Sequence, residues 1–124
     1  MRNWRMIERQ NGTSDEVVIV LTTFPDQEIS RQIGTQWVES QLAACVNLLP
    51  GVESIYRWEG KTEVAGEVFA IVKTTRACLP ELECSLRALH PYELPEFLVL
   101  SPERGTDAYL AWVRAETKLD KPAS

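Results

Sequence analysis

Two β-type stretches, Ala44 to Trp58 and Lys61 to Thr75, flank the dipeptide Glu59-Gly60. A permissive glycine in so short a connection marks a tight turn, so the pair reads as one long hairpin. Within the first arm, Pro50-Gly51 lacks a donor and frees the backbone, which suits a bulge or bend. About 14 residues per arm span roughly 45 Å at about 3.3 Å each. A chain of 124 residues cannot cover such a hairpin with its own helices, so the far end needs a partner.

The remaining elements arrange themselves around this hairpin. Val17-Val18-Ile19-Val20-Leu21 is β-branched and continuously apolar, as expected of a central strand covered on both faces. After Pro25-Asp26, residues 27 to 42 place Ile33, Gly34, Trp37, Val38 and Leu42 on a broad helical face, with Gly34 allowing close approach. Pro80 opens a second helix whose stripe is Leu79, Leu82, Leu86 and Leu89 and whose end is Pro91. Phe97 to Leu100 is a short strand, and Asp107 to Thr117 a last helix with Tyr109, Trp112 and Val113 on one side. The order β-α-β-β-α-β-α is the α+β, ferredoxin-like pattern with an extra C-terminal helix: an antiparallel four-stranded sheet with helices on one face. Phe69 and Ile71 alternate with Val68, Ala70 and Val72, so both faces of that strand are apolar, and the uncovered face implies oligomerisation.

Composition removes several classes of function. With 13 Lys+Arg against 18 Asp+Glu the net charge is −5, which opposes nucleic-acid binding through counterion release. Apolar runs are strand-sized, far short of the roughly 20 residues a membrane span needs. Residues 1 to 14 carry Arg2, Arg5, Glu8 and Arg9 among Trp4, Met6 and Ile7, which does not resemble a secretory signal, so a cytoplasmic location is expected. Cys45, Cys78 and Cys84 are odd in number and lack CxxC spacing, so reduced thiols are expected. Asn11-Gly12-Thr13-Ser14 and Pro122-Ala123-Ser124 mark a flexible N-terminal extension over 1–14 and a tail over 118–124, leaving 15–117 as the single domain. No Walker loop, GxGxxG, HExxH, GxSxG or EF-hand pattern occurs, and no serine is flanked as an activated nucleophile, so an enzyme is not expected.

Six ordered segments resemble the CutA divalent-cation tolerance family across about residues 16 to 117. They are Val18-Ile19-Val20-Leu21-Thr22-Thr23, Leu42-Ala43-Ala44-Cys45-Val46-Asn47, Ser54 to Lys61, Glu67 to Thr75, His90-Pro91-Tyr92-Glu93-Leu94-Pro95-Glu96 and Tyr109-Leu110-Ala111-Trp112. The resemblance implies a ferredoxin-like subunit in a tight homotrimer built through the long hairpins, with a role in copper binding or metal tolerance. Gly34 departs from it, since the family usually has alanine there, and glycine costs about 1 kcal/mol of helix propensity.

Cys45 opens a strand directly after a helix, and as a soft thiolate it is a candidate ligand for Cu(I); its structural alternative is a small buried hydrophobe. Cys84 lies about 180° from the Leu82 and Leu86 stripe, hence on the polar face, where a thiol binds soft metals opportunistically. Cys78 stands six residues before Cys84, which is not a metal clip. His90, the only histidine, is a candidate nitrogen ligand, although its place at a helix end gives it a structural reason through the terminal carbonyls. The segment Pro91 to Glu96 is stiffened by two prolines and presents Tyr92, Glu93 and Glu96 as a lining for a site or a subunit contact. Glu67 and Lys73 share one strand face about 20 Å apart, so each needs another partner, and in a trimer both would face a cleft between subunits. Tyr56 and Trp58 on the hairpin complete this cleft set, with packing as their plainer role.

The function expected from these residues is that of a cytoplasmic homotrimer binding copper or another divalent cation weakly through Cys45, Cys84 and His90, which need not share one site, without turnover. The alternative is a signalling trimer of the nitrogen-regulatory type, sensing a small metabolite between subunits through Glu67, Lys73, His90 and Tyr92.

Overall fold

The computed structural model describes residues 15–117; the expectations for 1–14 and 118–124 lie outside the described residues. The chain runs β1 (Val17–Phe24), α1 (Gln27–Glu39), β2 (Cys45–Trp58), β3 (Lys61–Thr75), a 3-10 turn (Arg76–Cys78), α2 (Leu79–Leu89), β4 (Leu98–Leu100) and α3 (Asp107–Glu116). The four strands form one antiparallel sheet in the order β2-β3-β1-β4.

Local chemistry accounts for the elements. The Asp26 carboxylate accepts from the Ile29 N–H at 2.9 Å and caps α1. Thr106 does the same for α3 through Tyr109, and Pro80 starts α2 where its missing donor costs nothing. The hairpin turn has Glu59 at φ 50 and Gly60 at φ 80, both left-handed, as a two-residue turn with the native strand twist requires. Pairing runs from Trp58 opposite Lys61 to Val52 opposite Glu67, then shifts by one residue at Pro50-Gly51, so that Leu49 meets Phe69. The proline and a glycine at φ 80 absorb the bulge.

Register assigns each residue to a face. Val20, Thr22 and Phe24 of β1 stand beside Val72, Ala70 and Val68 of β3. This face is covered by α1 and α2, which bring Ile33, Trp37, Leu82 and Leu86 into one core. Gly34 lets α1 sit low on β2, since a Cβ there would come within 3.3 Å of the Val46 Cγ1. Trp37 is 1% exposed and satisfies its indole N–H on Ser85 Oγ at 2.9 Å. On the other face, Ile19, Leu21, Phe69 and Ile71 are only half-buried. Helix α3 closes one end of it, where Val113 and Leu110 meet Val17 and Ala44.

All three helix stripes differ in part from the expectation: α1 ends at Glu39 rather than 42, with Val38 40% exposed and Leu42 buried beyond the helix end. Leu89 is 42% exposed although it lies only about 20° round the helix from the fully buried Leu82: it is the last residue of α2, so its exposure comes from its position along the helix rather than around it. In α3, Val113 and Leu110 carry the packing, whereas Tyr109 and Trp112 are each 43% exposed and lean on one another with centroids 5.6 Å apart. The last strand is Leu98–Leu100 rather than 97 to 100, and all three of its residues are exposed.

Candidate functional site

The polar groups of interest gather in two places. The first begins at His90, the residue after α2, which is 7% exposed. Its ring stacks on Phe24 at 5.1 Å and 17°, and Tyr92 leans on its other side at 4.6 Å. Nε2 lies 2.6 Å from the Thr23 carbonyl oxygen, an acceptor, while Nδ1 receives the Tyr92 N–H at 3.1 Å. Those partners fix the neutral tautomer with the proton on Nε2. The imidazole therefore clamps the loop after α2 to β1, a strand it reaches in place of the helix-end carbonyls anticipated from the sequence.

Tyr92 extends the chain of contacts to β3. Its phenol donates to Glu67 Oε2 at 2.6 Å. Burial, then the carboxylate it binds, push the Tyr92 phenol far above its ordinary range, with Tyr56 and Asp26 adding to the effect. Glu96 titrates above the usual carboxylate range because it is desolvated and because Glu67 stands near it. Of the expected cleft set, Glu67 thus stands within electrostatic reach of both Tyr92 and Glu96, and Tyr56 within reach of Tyr92. Neither Glu67 nor Glu96 has an ion-pair partner among the described residues.

The second place lies on the half-buried sheet face. Cys45 stands directly across from Lys73, and Asn47 lies one pleat along β2. The Lys73 ammonium donates to Asn47 Oδ1, and the Cys45 thiol reaches the same oxygen at 3.7 Å. Asn47 was not singled out in the sequence; the i, i+2 spacing from Cys45 is the signal that placed it on the same face. Trp58 stays at the far end of the hairpin, 39% exposed. Cys84 is exposed on α2, across the sheet from Cys45, and Cys78 is buried, accepting from the Thr75 hydroxyl. The three ligand candidates Cys45, Cys84 and His90 do not converge: among the described residues no three His, Cys, Asp or Glu side chains are grouped to hold an ion.

A third network is structural. Glu16 accepts from the Ser101 hydroxyl and from Arg76 Nε at 2.9 Å; the first of these bonds and then the second hold its carboxyl below the usual range, and together they tie the start of β1 to the end of β3 and the segment after β4.

Residues 18–116 match the family model described as CutA1 divalent ion tolerance protein. The chain belongs to this family. The divalent-cation tolerance protein CutA of Thermus thermophilus is 44% identical over 99 residues, covering 80% of this chain and 96% of that protein. Human protein CutA is 41% identical over 102 residues, and the match covers 82% of this chain but 57% of the human protein. Among solved structures, CutA from Xylella fastidiosa superposes with a TM-score of 0.80 at 37% identity, covering 83% of this chain and 99% of that one. The βαββα order, the hairpin and the His90-to-Glu96 segment therefore sit in a family frame. Within that frame the bonding of His90 and the Tyr92-Glu67-Glu96 group are read from this chain's own atoms. No helix among the described residues is long and apolar enough to cross a membrane.

Proposed function

We propose that this protein acts in divalent-cation tolerance as a cytoplasmic homotrimer of ferredoxin-like subunits that binds copper or another divalent cation weakly and performs no chemical turnover. One observation carries the assembly: the sheet face opposite α1 and α2 leaves Ile19, Leu21, Phe69 and Ile71 half-covered, with Leu98 and Leu100 at 55% and 49% exposure along its edge. Ile55 and Val64, paired across the hairpin, are 69% and 59% exposed. So much wet apolar surface on one chain favours burial against copies of itself.

The metal follows less directly. One chain supplies no closed ligand cage, and both nitrogens of His90 are engaged. Cys45 is the donor on the face assigned to subunit contact, where thiols or carboxylates of neighbouring copies can complete a soft site. Cys84 is an exposed auxiliary thiol. Light scattering over a dilution series, coupled to Cu(I) and Cu(II) titration of the Cys45→Ala and Cys84→Ala variants, tests both parts. A persistent 14.1 kDa species would remove the assembly, and copper affinity unchanged in both variants would remove the thiol site.

A second reading is favoured by the Tyr56, Glu67, Tyr92 and Glu96 group, whose uncompensated carboxylates suit a cationic metabolite at a subunit boundary. A thermal-shift screen separates it from the first, because a ligand at 100 times its dissociation constant adds about 2.7 kcal/mol.

A further inference from the structure

Beside the first of these places, sharing Tyr92 with it as a wall, a groove of about 400 Å³ lies between α2 and the loop that follows it. Its lining is apolar at Leu86, Pro95 and Phe97, with Leu94, 72% exposed, at the rim. Its mouth carries charge of both signs, from Glu83 and Arg87 one turn apart on α2 and from Glu93 on the loop. None of these three side chains forms a hydrogen bond or ion pair with another described residue. The size and the mix of apolar lining with a few charged groups are those of a small-molecule site.

The groove is also preformed. Pro91 and Pro95 restrict the loop, and Tyr92, which lines one wall, is held at both ends, through its N–H by His90 and through its phenol by Glu67. A wall fixed in this way lowers the ordering cost of binding.

We propose that this groove binds a free α-amino acid with an apolar side chain. The side chain would lie on Leu86, Pro95 and Phe97, the carboxylate would pair with Arg87, and the ammonium would meet Glu83 or Glu93. A free amino acid carries both charges on one carbon beside its apolar part, whereas a peptide terminus carries one, so the two sources of this chemistry are separable. The site lies within one chain and goes beyond metal tolerance; its fate is independent of whether copper binds Cys45.

The test is calorimetric titration of the full chain, in whatever assembly it adopts, with L-phenylalanine, L-leucine, phenylalaninamide and N-acetylphenylalanine. Both free amino acids are expected to bind, and each blocked derivative about tenfold more weakly or worse, because it leaves one charged group at the mouth unpaired. Arg87→Gln is expected to abolish the preference for phenylalanine over its amide, while Arg87→Lys retains part of it. Glu83→Gln with Glu93→Gln is expected to abolish the preference over the N-acetyl derivative. All these positions are exposed, so circular dichroism of each variant is expected to match that of the parent. Tighter binding of the N-acetyl derivative than of the free amino acid would assign the groove to a peptide C-terminus and overturn the proposal. Equal binding of all four compounds, no heat up to their solubility limits, or affinities untouched by the substitutions would overturn it as well.

Discussion

The Nε2–H of His90 donates to the Thr23 carbonyl oxygen at 2.6 Å, which joins the residue after α2 to the end of the central strand. With Nδ1 taken by the Tyr92 N–H, the ring has no lone pair to offer an ion without breaking a buried bond. His90→Ala also deletes a ring stacked on Phe24 and is expected to cost about 3 kcal/mol of stability. Copper affinity of the folded variant, measured by competition with a chromogenic chelator, is expected to be unchanged. A loss of affinity with stability intact would make His90 a ligand after all.

The three thiols occupy three levels of burial, and their reactivity is expected to follow. Cys84 is exposed, Cys45 intermediate and Cys78 buried at 0% exposure. Titration with an aromatic disulfide reagent is expected to modify Cys84 within seconds, Cys45 more slowly, and Cys78 only on unfolding. If subunits meet over the Cys45 face, dilution below the assembly threshold accelerates the second phase alone.

Much of this arrangement was legible in the chain, and the register shows where legibility ends. The turn at Glu59-Gly60 and the bulge at Pro50-Gly51 follow from local backbone chemistry. Counted back from the turn without a bulge, Cys45 would face Thr74; the extra residue brings it opposite Lys73. The stripe of α2 was readable as far as Leu86, but Leu89 depends on where the chain leaves the sheet, which is a tertiary matter. The partner of His90 was out of reach for the same reason, because 67 residues separate it from Thr23 and no local pattern signals a bond to a strand carbonyl. Residue type and position suggest Glu67, Tyr92 and Glu96 as cleft residues, but their approach to one another depends on the loop's path, which no local pattern signals.

Glu96 carries a charge that folding disfavours, through burial first and through Glu67 second. Its folded-state pKa lies above the unfolded one, so the folded state binds the proton more tightly, and stability falls as pH rises from the ordinary carboxylate range through the raised value. Glu96→Gln removes that penalty. The variant is expected to be more stable than the parent at pH 7 and indistinguishable from it near pH 4. Urea melts at the two pH values check the sign; a variant less stable at pH 7 would mean that Glu96 is paired with a cation in the assembled protein.

Thr22 faces the core between the helices at 0% exposure, and its hydroxyl has no hydrogen-bond partner among the described residues. A desolvated, unpaired hydroxyl opposes folding, whereas a methyl in its place is apolar and keeps the β-branched shape that the strand favours. Thr22→Val is expected to stabilise the protein by about 1 kcal/mol, read as a higher midpoint in thermal melts.

Ile71 stands at the middle of the half-buried face, between Leu21 on β1 and Asn47 on β2, with Phe69 next along its own strand. A charge placed there costs little in an isolated chain, because the side chain can reach water at the open face. In an assembly closed over that face the same charge is desolvated without a partner, a penalty of several kcal/mol for every copy. Ile71→Glu is therefore expected to leave the far-ultraviolet circular dichroism of the subunit intact while lowering its mass in light scattering to that of one chain. Val72→Glu is the control: Val72 is 0% exposed and points at the helices, so the variant is expected to unfold rather than dissociate. Should Ile71→Glu keep the parent's mass, subunits do not meet on this face, and the exposed hairpin pair Ile55 and Val64 becomes the contact to test next by the same substitution.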